Sequence, residues 1–352
     1  MLPRAYKREL EAKIQNHARV NLLSPKQTRV LLKLDCDTDF LLDKVGDYLK
    51  TPDVKHLRRL FLPEIISPLP ADIDEDIAVS AVAFGDIIGS RYEFTEHNYL
   101  RIDTDNLIHS ASSYTDDTVL SYATFSALRA NARRPDFRSA YLNAYRRFPN
   151  AGYGAAFKRW AKGIEISNRE GYGSFANGSA MRVASVGFHY DNIKSVIKQA
   201  IRSASTTHNH QDGIKGAVVT AVVIWMARNG YSKAEIKEYA RRFYHFDDAD
   251  REFLLHSETY FDLDTPLSSA PNAISKSSIY CNYAVPFAIK CFLETNSYKE
   301  CMAEILRHYG DTDTICAIAG GICYAYYLNI NLSEKDLRAA RTILSNAKFI
   351  QQ

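Results

Sequence analysis

No run of about eighteen apolar residues occurs anywhere in the 352-residue sequence, which removes a membrane-spanning helix from consideration. The stretch from Met1 to Val20 has no apolar signal core, so the chain is read as soluble and not exported by the usual route. Net charge is scarce as well: 44 basic residues stand against 41 acidic ones, and the balance of +3 selects no partner. None of the six cysteines has a metal-type CxxC spacing. Five of them sit in helix-like apolar contexts, so they read as reduced, buried thiols in a cytoplasm-like compartment. The glycine-rich stretch from Gly171 to Arg182 lacks the Lys-Ser/Thr of a P-loop and the strand of a dinucleotide fold, and by itself is as readily a plain turn. The alternation Asp35, Asp37, Asp39 lacks the glycine and closing glutamate of a calcium loop and is read as solvated loop.

What the chain does have is acid in awkward places. Ser113-Tyr114-Thr115-Asp116-Asp117-Thr118 puts two adjacent carboxylates ahead of Val119 to Leu128, whose apolar spacing of three and four predicts an amphipathic helix. Thr115 or Asp116 is its expected cap. A second cluster, Gly310-Asp311-Thr312-Asp313-Thr314, precedes Ile315 to Tyr327, a run with no charged face and hence a buried helix. Asp311 and Asp313 are therefore expected to lie deep, where an unpaired carboxylate costs several kcal/mol. No basic run stands nearby to neutralise them, whereas hard cations take carboxylate and hydroxyl oxygens, and two such clusters suit a pair of ions.

Three further stretches add to this frame. From Asp76 to Glu93 the chain is apolar and small, with Gly85 and Gly89 four apart so that another helix can approach closely. Asp86 inside it is read as a hydrogen-bonded structural acid in preference to a group behind the site, and Glu93, just past the helix end, as a candidate lid carboxylate. Gly173 and Gly178 frame Ser174 and Asn177 in a loop whose backbone can present amides to phosphate oxygens. Thr207-His208-Asn209-His210 precedes a small apolar helix from Gly213 to Met226, where a histidine is more often a cap or a core residue than a ligand.

In their order these blocks resemble the ADP-ribosylglycohydrolase family, over roughly residues 76 to 340, with spacing most like its short bacterial members. The resemblance implies an all-α orthogonal bundle with a central cleft holding two magnesium ions, manganese being the other candidate. It assigns metal contacts to Thr115, Asp116, Asp117, Asp311, Asp313 and Thr314, and places Gly173, Ser174, Phe175, Asn177, Gly178 and His208 around the diphosphate and distal ribose. Of the catalytic groups, Asp116 or Asp117 would orient a water and Glu93 would pass the proton. Two departures stand out: Ala176 and Tyr309 occupy places where the family usually has glycine, the first narrowing the phosphate loop and the second crowding the cleft or stacking on substrate.

The implied activity is magnesium-dependent hydrolysis of the bond between ADP-ribose and an ADP-ribosylated protein or other acceptor. A metal-free paired-carboxylate glycosidase does not explain two clusters with a threonine beside each acid. The alternative class is a non-catalytic protein that binds ADP-ribose or blocks a partner. No membrane or nucleic-acid partner is expected. Prolines at Pro63, Pro68 and Pro70 mark a join, dividing the chain into a helical extension over residues 1–74 and a catalytic domain over 75–352. The extension starts basic, with Arg4, Lys7, Arg8, Lys13, Arg19, Lys26, Arg29 and Lys33 against only Glu9 and Glu11 before Asp35, and is expected to recognise a protein partner.

Overall fold

The structure is a computed structural model and is described for residues 74–95, 102–164, 171–245, 260–267 and 276–349. Residues 1–73 of the extension, with Cys36 and the Asp35 to Asp39 alternation, lie outside the described residues. Among those described the chain is all-α, as expected. Its helices are α1 (Glu75–Ser90), α2 (Asp116–Ala130), α3 (Phe137–Arg147), α4 (Ala155–Ala161), α5 (Ala184–His189), α6 (Ile193–Ser205), α7 (Gln211–Arg228), α8 (Lys233–Tyr244), α9 (Cys281–Glu294), α10 (Tyr298–Leu306), α11 (Thr312–Tyr327) and α12 (Glu334–Asn346). One antiparallel backbone pairing, Ala176 with Tyr280, is the nearest approach to a sheet among the described residues.

The run without a charged face is α11, buried from Thr312 through Ala325. It lies among α1, α7, α9 and α10, and its most extensive contact is with α1. Glycine makes that contact possible. A Cβ at Gly85 would lie 2.2 Å from the Cys316 carbonyl oxygen, and one at Gly89 would lie 2.3 Å from the Thr312 carbonyl oxygen and 2.5 Å from the Asp313 Cα. The two backbones touch, so the helices that carry Asp86 and Asp313 are fixed against each other without intervening side chains.

Helix α9 holds a proline, Pro286, inside it. A proline there cannot bond the carbonyl four residues back. That carbonyl, on Asn282, instead accepts the amide of Phe261 at 3.0 Å, which ties the 260–267 segment to the helix. Cys281, Cys291, Cys301, Cys316 and Cys323 are buried, as their apolar contexts imply. No helix among the described residues is long and apolar enough to cross a membrane.

Candidate active site

Thr115 is the cap of α2: its hydroxyl accepts the Asp117 amide at 3.3 Å, and the two acids that follow stand in the first turn, where the helix dipole favours negative charge. Asp86 is fully buried beneath this turn. Its Oδ2 accepts the amides of Thr115 and Thr118 at 2.8 and 3.0 Å and the Thr118 hydroxyl, while Oδ1 lies 2.9 Å from the Thr115 hydroxyl. A carboxylate so fully used fits the structural role expected from its place in α1, although it also adds a charge behind the cluster.

The second acidic motif arrives on α11. Asp311 precedes the helix and sends its carboxylate sideways: Oδ2 accepts the Asn177 side-chain amide at 2.8 Å, and its own backbone amide donates to the Ser278 hydroxyl at 2.9 Å. Thr314 reaches back across the cleft and donates to Asp117 Oδ2 at 3.2 Å. The fold therefore brings together two motifs almost two hundred residues apart. Carboxylate oxygens of Asp86, Asp117 and Asp313 lie within 4.8 Å of one another, as do those of Glu93, Asp311 and Asp313, so that Asp313 belongs to both groups. Asp116 is half-buried and belongs to neither.

Among the described residues the electrostatics are those of acids gathered without a basic counter-charge. Loss of water and then the charges of neighbouring carboxylates push Asp116 up to about 8 and Glu93, at the rim, to about 7; burial alone takes Asp86 to about 6. Asp117 and Asp313 stand well above the ordinary carboxylate range for the same reasons. The charges weighing most on the first two and on these are other carboxylates, not lysine or arginine. Asp117 Oδ1 is buried with no hydrogen-bond partner among the described residues. An orphaned anionic oxygen amid converging acids and threonine hydroxyls is a donor set that fits hard divalent cations.

On one side of this cluster lies the loop that frames Ser174. Gly173, at φ +71°, donates its amide to Asn209 Oδ1 at 2.6 Å, and the Ser174 hydroxyl accepts the Ala176 amide. Phe175 is 43% exposed and stacks on Tyr280 with centroids 5.0 Å apart. His208, only 4% exposed, faces Gly178, where a Cβ would stand 3.0 Å from its Nε2. The cap of α7 is His210 instead. Asn177, 6% exposed, joins this loop to the acids through its bond to Asp311.

A family model described as ADP-ribosylglycohydrolase matches residues 78–334, the span that carries every one of these side chains. The chain belongs to the ADP-ribosylglycohydrolase family. Among the relatives of this ADP-ribosylglycohydrolase, human ADP-ribosylhydrolase ARH3 is 27% identical over 311 residues, covering 71% of this chain and 84% of that protein. The cattle protein of the same name is 28% identical over 259 residues, covering 62% and 71%. A solved ADP-ribosylglycohydrolase-related protein complex shares the fold, with a TM-score of 0.54, 20% identity, and coverage of 78% of this chain and 98% of that one.

Against the family pattern, the two departures find local explanations. Ala176 sits at φ −66°, a backbone that any residue adopts, so the missing glycine strains nothing. The ring of Tyr309 packs edge-on against Phe94 with centroids 6.0 Å apart, and the Phe94 amide donates to the Gly310 carbonyl at 2.8 Å. Phe94 holds φ +44°, which is uncommon for a side chain of its bulk. Tyr309 thus braces the turn that carries Glu93. Two supports of this ADP-ribosylglycohydrolase cleft were not legible beforehand: Ser278, whose only signal is a place in an unremarkable serine pair, and the bond from Asn177 to Asp311, which joins distant motifs.

The raised carboxylates carry a prediction. A carboxyl that holds its proton more tightly when folded makes the folded state less stable as pH rises from its unfolded value near 4 through its folded one. Asp86, Glu93 and Asp116 span about 6 to about 8, so the metal-free protein is expected to lose melting temperature between about pH 5 and about pH 8. A divalent cation should add more stability at the higher pH, since only ionised carboxylates bind it. Thermal melts with and without cation at the two pH values check this; a metal-free melting temperature that climbs across the range would contradict it.

Proposed function

We propose that this chain is a magnesium-dependent hydrolase that cleaves the bond between the anomeric carbon of ADP-ribose and a modified acceptor. The observation that carries this reading is the convergence of the two acid motifs on Asp313, beside a glycine-framed loop and an exposed aromatic ring. Thr115, Asp116, Asp117, Asp311, Asp313 and Thr314 would hold a pair of magnesium ions. When bound, such ions supply Lewis acidity and a water of lowered pKa near neutral pH.

The protein's own part is positioning and proton movement. Asp116 or Asp117 orients the attacking water, whose oxygen forms the new bond to the anomeric carbon as the bond to the acceptor breaks. One proton of that water leaves through a carboxylate, and Glu93 at the rim delivers a proton to the departing acceptor atom. Gly173, Ser174, Phe175, Gly178 and His208 hold the nucleotide end. The test is a panel of ADP-ribosylated acceptors incubated with magnesium and assayed for free ADP-ribose. ADP-ribose affinity with no product from any acceptor would favour the binding protein over the enzyme.

His208→Ala is expected to weaken ADP-ribose binding about tenfold or more while leaving metal affinity intact. Asn177→Ala should weaken both, because loss of a hydrogen-bonded orienter typically costs about 10–100-fold in metal affinity and Asn177 holds Asp311. Calorimetry with magnesium and with ADP-ribose separates the two variants; equal metal loss in both would overturn the division.

Recognition of a protein partner through residues 1–74 belongs to the same proposal. A truncation beginning near Ile73 should still hydrolyse a small substrate and lose selectivity for a protein one. If both activities fall equally, the extension has no separate role.

A further inference from the structure

Arg182 is fully buried, although a guanidinium keeps its charge at any ordinary pH. Among the described residues no carboxylate forms an ion pair with it. Its Cζ lies 4.2 Å from the centre of the Tyr141 ring; Nη2 donates to the Ser203 carbonyl at 3.1 Å and to the Thr207 hydroxyl at 2.7 Å. Nε and Nη1 have no hydrogen-bond partner among the described residues. A buried cation held this sparsely is destabilising compared with an apolar residue of similar size. Packing alone is a poor reason for it.

One of its two bonds leads to the nucleotide loop. The Thr207 hydroxyl oxygen lies 2.7 Å from His208 Nδ1. Arginine can only donate, so the threonine oxygen accepts from Arg182 and keeps its own hydrogen to give. Among the described residues the acceptor within reach is Nδ1. The chain of bonds then runs in one direction, from Arg182 to Thr207 to His208, and leaves the imidazole proton on Nε2. That nitrogen faces Gly178, the position in the loop with no side chain to block it.

The surroundings favour the neutral ring. Burial, and then the Arg182 charge, lower the His208 pKa well below its ordinary value. Tyr172, whose ring centre lies 5.8 Å away, is pushed up to about 12 by burial and stays uncharged. A neutral ring needs a fixed tautomer if it is to present a donor.

We propose that Arg182 and Thr207 are positioning residues, holding His208 as the neutral tautomer with its proton on Nε2 so that it donates a hydrogen bond to an oxygen of bound ADP-ribose. The proposal rests on the reading of His208 as a ligand contact, and it adds the device that orients that contact.

The experiment uses the full chain labelled with ¹⁵N-histidine, with the tautomer read from long-range proton–nitrogen spectra without ligand and ADP-ribose affinity read by calorimetry. Wild type should show the Nε2–H form. Thr207→Val, equal in shape but without the hydroxyl, should admit the Nδ1–H form and bind ADP-ribose about tenfold more weakly; Thr207→Ser should restore both. A merely structural threonine would change melting temperature without moving the tautomer. The Nδ1–H form in wild type overturns the proposal whether or not any variant folds, as does a Val variant with wild-type tautomer and affinity. Should His208→Ala bind ADP-ribose as wild type does, the ligand contact itself is wrong, a result that the ligand-free tautomer spectrum keeps distinct.

Discussion

Asp313→Asn, and likewise Asp311→Asn, is expected to abolish metal binding and hydrolysis while the protein stays folded. Asp313 is common to both groups of converging carboxylates, so its loss removes a charge from each. Metal chemistry supplies several kcal/mol of transition-state stabilisation, which sets the expected loss of turnover at about a thousandfold or more. The fold should not suffer. Asp313 is held well above the ordinary carboxylate range by desolvation and by Asp311, Asp117 and Glu93, so replacing it relieves repulsion in the metal-free protein. At Asp311 an amide oxygen can still accept from Asn177. Melting temperature without metal should therefore be unchanged or higher, while the rise on adding magnesium disappears. A variant that still gains stability from magnesium and still turns over, or a wild type indifferent to exhaustive chelation, would remove the two-metal reading.

Gly89→Ala should have the largest effect on stability. The new methyl carbon would fall 2.3 Å from the Thr312 carbonyl oxygen and 2.5 Å from both the amide nitrogen and the Cα of Asp313, all of them backbone atoms that cannot rotate away. Ordinary overpacking costs about 1–3 kcal/mol, and a backbone clash is expected to exceed that. Part of the strain would go into moving α1 off α11, which displaces Asp86 from beneath α2 and shifts Asp313. The variant is expected to lose magnesium affinity with its stability. Gly154→Ala is the control, since nothing lies within 4 Å of a Cβ there and the backbone, at φ −59°, suits alanine. Circular dichroism melts of the pair decide it; similar melting temperatures would mean that the helices are not in backbone contact.

How much of this was legible before folding depends on the range of each interaction. The buried character of α11 could be read from its sequence because a helix without a charged face has no way to meet water. The caps could be read because they act over two or three residues: Thr115 onto Asp117 follows from the chain itself. Gly85 and Gly89 announced a close approach, but nothing local named α11 as the partner. The threonine that meets Asp117 from across the cleft, the amide of Asn177 on Asp311 and the carbonyl of Asn282 on Phe261 are long-range bonds. A single sequence supplies the donors and acceptors of such bonds without saying which pair. Arg182 shows the same limit in sharper form, since as one letter in a loop it looks like any exposed arginine.

The pairing of α1 with α11 also bears on the order in which the molecule can assemble. α1 begins at Glu75 and its principal partner ends at Tyr327, so the central contact closes a loop of more than two hundred residues. Contacts of such separation form late, because the entropy of bringing the ends together must be met before any packing rewards it. During synthesis α1 emerges with its glycine-notched, apolar side uncovered and waits while α2 to α10 and the chain between them are made. Helix α7, apolar on nearly every side, is a neighbour of α11 and waits as well. Mutations that slow the arrival of α11 should thus show first as aggregation during expression, even where the finished protein is as stable as the wild type.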